Sequence, residues 1–187
     1  MFHQAPFTDV NPNGRVPAIH DPNTGVTLWE SGAIVTYLVE QYDKENKVSY
    51  PSSEMAQKHV ANQWLHFQAS GQGPYFGQSV WFRNFHAEKI PSAIERYEKE
   101  VKRVSAVLDC HLKKSGTAYL TGDKCTYADL AFVPWFVMME PMVLGKENND
   151  QLNEELPHYK KWLDALFERE AVKTAIAKRA EAMAAKQ

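Results

Sequence analysis

The stretch from Asn11 to Asp43, NPNGRVPAIHDPNTGVTLWESGAIVTYLVEQYD, leaves few choices of local fold. Val16, Ala18 and Ile19 form a short apolar run. Val26-Thr27-Leu28-Trp29 is β-branched and aromatic, so two strands are expected. Between them Asp21-Pro22-Asn23-Thr24-Gly25 is dense in turn formers, with Gly25 free to take positive φ. Strands joined by such a turn predict an antiparallel hairpin. Glu30-Ser31 then opens a helix. Ser31 suits the N-cap, and Ile34, Val35, Leu38 and Val39 recur at helical spacing, which predicts a helix to about Tyr42.

The two ends of this unit carry its chemistry. A helix N-terminus presents unpaired N–H groups and partial positive charge, so it attracts a carboxylate. The Ser31 hydroxyl and N–H suit that carboxylate, and Glu30 beside it suits an ammonium group. Together they fit the head of an α-amino acid. Upstream, Val16-Pro17 starts a strand. Its proline cannot donate to a ladder, and a cis bond is compatible with the position. Either isomer leaves the Val16 N–H and C=O outward for an extended peptide to pair with. Taken singly, each motif is more often an ordinary hairpin or an ordinary capped helix.

The rest of the chain reads as helices. After a polar, proline-bearing linker at 44–53, a long helical pattern begins at Ser53-Glu54, with Val60, Trp64, Leu65 and Phe67 on one side. Gly71-Gln72-Gly73-Pro74 must kink or break it. Tyr75, Phe76, Val80, Trp81, Phe82 and Phe85 follow, an aromatic stretch to be divided between core and the rim of an apolar pocket. Trp64, Phe67, Tyr75, Phe76 and Phe82 are the pocket candidates.

Pro91-Ser92 opens a further helix, with Ile94, Tyr97, Val101, Val104, Leu108 and Leu112 inward and Gly116 at its end. Glu98–Lys102 is expected as an ion pair on its solvated face. Tyr119 to Asp123 is a turn. Thr126-Tyr127-Ala128-Asp129 has the form of a capping box ahead of an apolar helix that Pro134 and Pro141 bend or end. Asp129 is therefore a folding residue. Residues 146–155 read as a polar surface connection. Pro157 begins an amphipathic helix, with Tyr159, Trp162, Leu163, Leu166 and Phe167 inward, and an alanine- and charge-rich helical tail follows.

Composition narrows the partners. A net charge of −2 over 187 residues, with no basic block, gives no electrostatic reason to expect nucleic acid or an anionic membrane. No apolar run reaches the length of a spanning helix, and the N-terminus lacks the layout of a signal peptide. Cys110 and Cys125 lie in helical or near-helical sequence, away from any CxxC or metal-ligand spacing. Two buried, inert thiols are expected, in a reducing, cytoplasmic setting, with no metal.

NPNGRVPAI followed by WESGAIVTYL resembles the second half of the glutathione-binding, thioredoxin-like domain of glutathione transferases. The run QWLHFQASGQGPYFGQSVWFRNFH is similar to the fungal branch typified by the yeast nitrogen-regulator prion protein, and to the nu-class transferases. The resemblance spans almost the whole chain, from His3 onward. It implies an α+β fold: a truncated thioredoxin-like half over 1–43, the linker at 44–53, and an all-α domain over 54–187, in which the Thr126–Asp129 box nucleates the central helix. It implies that Val16-Pro17 pairs with the cysteinyl backbone of glutathione, that Glu30-Ser31 holds its γ-glutamyl end, and that His3 touches it. It also implies a homodimer.

The family's first strand, helix and strand would precede this sequence, and they carry the residue that activates the sulfur. No catalytic residue is named here. The family's long insertion before YLTGDK is absent. The implied function is addition of glutathione to an electrophilic, apolar small molecule, in detoxification or the tailoring of secondary metabolites, or alternatively glutathione-dependent double-bond isomerisation. A non-enzymatic glutathione-binding regulatory module and a plain assembly domain are the competing classes.

Overall fold

The computed structural model of the chain describes residues 4–185. The chain divides into two compact units, Met1–Lys58 and His59–Gln187.

In the first unit a single helical turn, α1 (Phe7–Val10), precedes the hairpin. Strands β1 (Ala18–Asp21) and β2 (Val26–Trp29) pair antiparallel, with Ala18 opposite Trp29 and Asp21 opposite Val26. Gly25 takes φ 73°, as the turn requires. Helix α2 (Ser31–Tyr42) follows directly. Asp43 closes it and organises the next segment, its carboxylate accepting from the N–H groups of Lys47 and Val48 and from the Ser49 hydroxyl. Among the described residues of this unit, Ile34 is the one buried apolar side chain. The hairpin and helix are held instead by a polar tie. Asp21 accepts the Asn23 N–H at the turn and the hydroxyls of Tyr37 and Tyr42 from α2.

The second unit is helical. The long pattern beginning near residue 54 is interrupted twice. Helix α3 (Met55–Phe67) passes into a π-helical turn at Gln68–Gln72, α4 (Gly73–Val80) follows, and a second π turn spans Trp81–Phe85. Pro74 cannot donate a backbone N–H, and the wider turn absorbs that missing bond. Gln68 and Gln72, both buried, complete the turn. Gln68 donates to Gln72 at 2.9 Å, and Gln72 donates to the Phe132 carbonyl at 3.2 Å.

Helix α5 (Pro91–Ser115) ends at Gly116, whose φ of 68° makes the left-handed cap. Its buried face is Val101, Val104, Ser105, Leu108, Asp109 and Leu112. Glu98 does not pair with Lys102 as expected. Arg83, reaching from the second π turn, takes its carboxylate.

The expected central helix is broken into α6 (Tyr127–Leu130), α7 (Val133–Val137) and a π turn at Met139–Leu144. Pro134 and Pro141 account for the breaks. Residues 146–155, expected as a connection, form helix α8 (Lys146–Glu155). Lysine, glutamate and glutamine are good helix formers, Lys146–Asp150 and Gln151–Glu155 bond at i,i+4, and Leu152 supplies the buried anchor. Helix α9 (Pro157–Phe167) buries Tyr159, Trp162, Leu163 and Leu166. In α10 (Glu170–Ala184) Val172 alone is buried.

The core of this unit is aromatic. Phe132, Phe136, Tyr159 and Trp162 pack ring against ring at centroid distances of 5.3 to 6.2 Å. The Thr126–Asp129 capping box is present. Asp129 is fully buried and does more than cap. One carboxylate oxygen accepts the Thr126 N–H and hydroxyl at 2.9 and 3.0 Å. The other accepts the Leu120 N–H and the Trp162 indole, both at 2.9 Å. Asp109 of α5 acts similarly on α9, accepting the N–H groups of His158 and Tyr159.

Candidate functional site

Because Ala18 faces Trp29 in the ladder, Val16-Pro17 and Glu30-Ser31 leave the hairpin at the same end. The register alone brings together two motifs that are twelve or more residues apart in sequence.

On the first side, the Val16–Pro17 bond is cis and Val16 is 62% exposed. Its N–H and C=O have no hydrogen-bond partner among the described residues. Asn11, which sequence reasoning passed over, shapes the approach. Its buried carboxamide donates to the Arg15 carbonyl at 2.5 Å and accepts the Asn13 N–H at 2.9 Å, and its own carbonyl accepts the Gly14 N–H. The Asn-Pro-Asn-Gly string is the signal that could have revealed this, since Asn side chains commonly close such turns.

On the second side, Ser31 is not the cap. It is the first residue of α2, and Glu30 occupies the N-cap with φ 73° and ψ 117°. A non-glycine residue there costs on the order of 1–3 kcal/mol, and such strain collects at ligand sites. No side chain caps the helix. The first intrahelical bond is Ile34 N–H to the Glu30 carbonyl. The N–H groups of Ser31, Gly32 and Ala33, the Ser31 hydroxyl and the Glu30 carboxylate therefore have no partner among the described residues. Three unpaired donors at the positive end of a 12-residue helix, beside an exposed carboxylate, suit a carboxylate and an ammonium on one carbon.

The other candidates are dispersed. His3 lies outside the described residues. Phe76 has no exposed surface and packs edge-on against Trp135 and Phe136, so it is a core ring and not a pocket wall. Trp64 is 5% exposed and sits against His111 and Phe67. Phe67, Tyr75 and Phe82 are half-buried; Tyr75 lies under the Arg103 guanidinium, and Phe82 stacks on Tyr97. Cys110 is exposed, against expectation, because it falls on the outer face of α5. Cys125 is buried, and burial together with the nearby Asp129 pushes its thiol up to about 12. No group of three or more His, Cys, Asp or Glu side chains is placed to hold a metal among the described residues. No helix there is long and apolar enough to cross a membrane.

Residues 2–40 match the glutathione S-transferase N-terminal domain, and residues 73–170 match the glutathione S-transferase C-terminal domain. The chain belongs to the glutathione S-transferase family. Among its relatives, the glutathione S-transferase-like protein tpcF of Aspergillus fumigatus is 49% identical over 178 residues, covering 91% of this chain and 77% of tpcF. The transcriptional regulator URE2 of Saccharomyces cerevisiae is 37% identical over 208 residues, covering 93% of this chain and 57% of URE2. The crystal structure of glutathione transferase URE2P6 from Phanerochaete chrysosporium, in complex with oxidized glutathione, superposes with a TM-score of 0.88. The two are 44% identical, over 96% of this chain and 80% of that one.

Proposed function

We propose that the chain binds glutathione at the hairpin end and transfers it to an electrophilic, apolar small molecule. The observation that carries this reading is the unpaired helix N-terminus beside Glu30, at the same end of the hairpin as the unpaired Val16 backbone. The γ-glutamyl carboxylate takes the N–H groups of α2 and the Ser31 hydroxyl. Glu30 takes the ammonium. The cysteinyl backbone pairs with Val16 in the manner of strand addition. That pairing orients the sulfur, while Pro17 leaves no competing donor.

The chemical step is attack of the glutathione thiolate on an electrophilic carbon. A carbon–sulfur bond forms, and a leaving group departs or a conjugated double bond takes the electron pair. A free thiol of this kind has a pKa of about 8.5, so fixed donors that favour the thiolate raise its population at neutral pH. Addition followed by elimination of glutathione would isomerise a double bond with the same binding site. Phe67, Tyr75 and Phe82, the half-buried rings among the candidates, leave apolar surface in the second unit that suits an apolar ligand. The exposed Trp81 and Phe85 support association of two copies. The acceptor belongs, in this reading, to detoxification or to secondary metabolism. The similarity to tpcF, a glutathione S-transferase-like protein, favours the transferase, whereas the similarity to URE2, a transcriptional regulator, favours a glutathione-binding regulator as the second reading.

Calorimetry with glutathione, paired with turnover of a chloronitroarene acceptor, tests these readings. Saturable binding with release of chloride is the expected result. Binding without turnover would favour the regulator. A folded chain that binds no glutathione would overturn both.

A further inference from the structure

Asn11 lies just ahead of the hairpin with only 1% of its surface exposed, and it bonds to backbone on every side. Its N–H donates to the Phe7 carbonyl at 2.9 Å, its C=O accepts the Gly14 N–H at 2.9 Å, and its Oδ1 accepts the Asn13 N–H at 2.9 Å. Those three bonds fold the 11–14 turn and tie it to the end of α1. The fourth bond reaches further. Asn11 Nδ2 donates to the Arg15 carbonyl at 2.5 Å, immediately before the exposed Val16.

A trans peptide unit is planar, and its C=O and N–H point in opposite directions. Among the described residues the cis bonds are Ala5–Pro6 and Val16–Pro17, so the Arg15–Val16 peptide is trans. The Arg15 carbonyl and the Val16 N–H belong to that one unit. Drawing the carbonyl onto the buried carboxamide therefore aims the Val16 N–H the other way, out of the turn. Arg15 is exposed, so without this bond the peptide would be free to rotate about its flanking torsions. The Val16 carbonyl lies in the next peptide unit, and Asn11 does not set it.

We propose that Asn11 is a positioning residue for glutathione: it holds the Val16 N–H ready to donate to the cysteinyl carbonyl and does not itself touch the ligand. The inference rests on the glutathione reading and assigns the orientation of one of its bonds to a buried side chain. Fixing that orientation before binding adds affinity by removing part of the ordering cost. The effect is narrow, because the γ-glutamyl end is held separately at the start of α2.

The test follows the ¹⁵N-labelled 187-residue chain by NMR in titrations with glutathione and with γ-glutamylcysteamine, which keeps the γ-glutamyl group and the thiol but has no cysteinyl carbonyl. In the unaltered chain the Asn11 carboxamide protons should exchange slowly without ligand, and the Val16 amide should become protected with glutathione only. Asn11→Asp keeps the side-chain shape and an oxygen for the Asn13 N–H but loses the donor, and Asn11→Ala loses both. Each should weaken glutathione about fivefold, change γ-glutamylcysteamine less than about twofold, and leave the Val16 amide exchanging fast at saturation. A residue that merely held the turn together would weaken both ligands alike. Equal losses for the two ligands, Val16 protection unchanged in both variants, or fast exchange of the Asn11 carboxamide in the unaltered chain would each overturn the proposal. An unaltered, folded chain that binds no glutathione, or binds it without protecting Val16, would overturn the glutathione reading of this strand and the proposal with it.

Discussion

Trp162 donates its indole N–H to Asp129 Oδ1 across 2.9 Å, and both side chains are buried. Through this bond the start of α6 is fixed to the middle of α9, and the same oxygen also holds the Leu120 N–H. Asp129→Ala would leave those two donors and the Thr126 N–H without a partner at once. We expect a loss of about 3 kcal/mol or more in chemical denaturation, given about 1–3 kcal/mol for each buried group left unpaired. A loss below about 1 kcal/mol would mean that water replaces the carboxylate.

The hairpin should be acid-sensitive. The Tyr37 and Tyr42 hydroxyls, with smaller help from Asn23, hold the Asp21 carboxyl down to about 2. An aspartate in the unfolded chain titrates near about 3.9. The folded value is the lower one, so the carboxylate's contribution is complete above the unfolded value and fades as pH falls from about 4 towards about 2. Thermal melting followed through tyrosine near-ultraviolet circular dichroism should show that slope, and Asp21→Asn should flatten it.

Ser31→Ala should weaken glutathione binding by on the order of 1–3 kcal/mol, because a bound carboxylate loses a charge-assisted partner. The helix itself should be little affected, since Ser31 is not its cap. Unchanged affinity in a folded variant would remove Ser31 from the site.

The two cysteines should differ in reactivity. Exposed Cys110 should label with a disulfide reagent under native conditions. Buried Cys125, its thiol pushed up to about 12, should label only after denaturation. One fast equivalent in the native protein and two in denaturant is the expected count, and two fast equivalents would show that the 125–129 corner opens readily.

Much of this was legible in sequence. The hairpin, α2, α5 with its glycine stop and the Thr126–Asp129 box each rest on neighbouring residues whose preferences agree, and family resemblance supplied the architecture. Local pattern failed where distant partners decide. Nothing near Asp21 signals that Tyr37 and Tyr42 will meet it. Ser31 looks like a cap by type, but Glu30 takes that position in a strained conformation that no propensity favours. Phe76 and Phe82 look alike in the sequence, yet one is sealed in the core and the other is half-buried, because six residues of helix set them about 120° apart around its axis.

The interrupted helices set limits on how chain length can vary. Carbonyls of the 132–143 segment are taken by side chains from the other interrupted run: Phe132 by Gln72, Val143 by Ser79 and Met142 by Asn84. These bonds act as a ruler laid between two segments. One residue gained or lost within 72–84 or 132–143 would shift the marks and strand several polar groups together. Insertions are therefore expected to survive outside the ruler, where Gly116 to Ala118 lies largely at the surface ahead of the Tyr119–Gly122 turn.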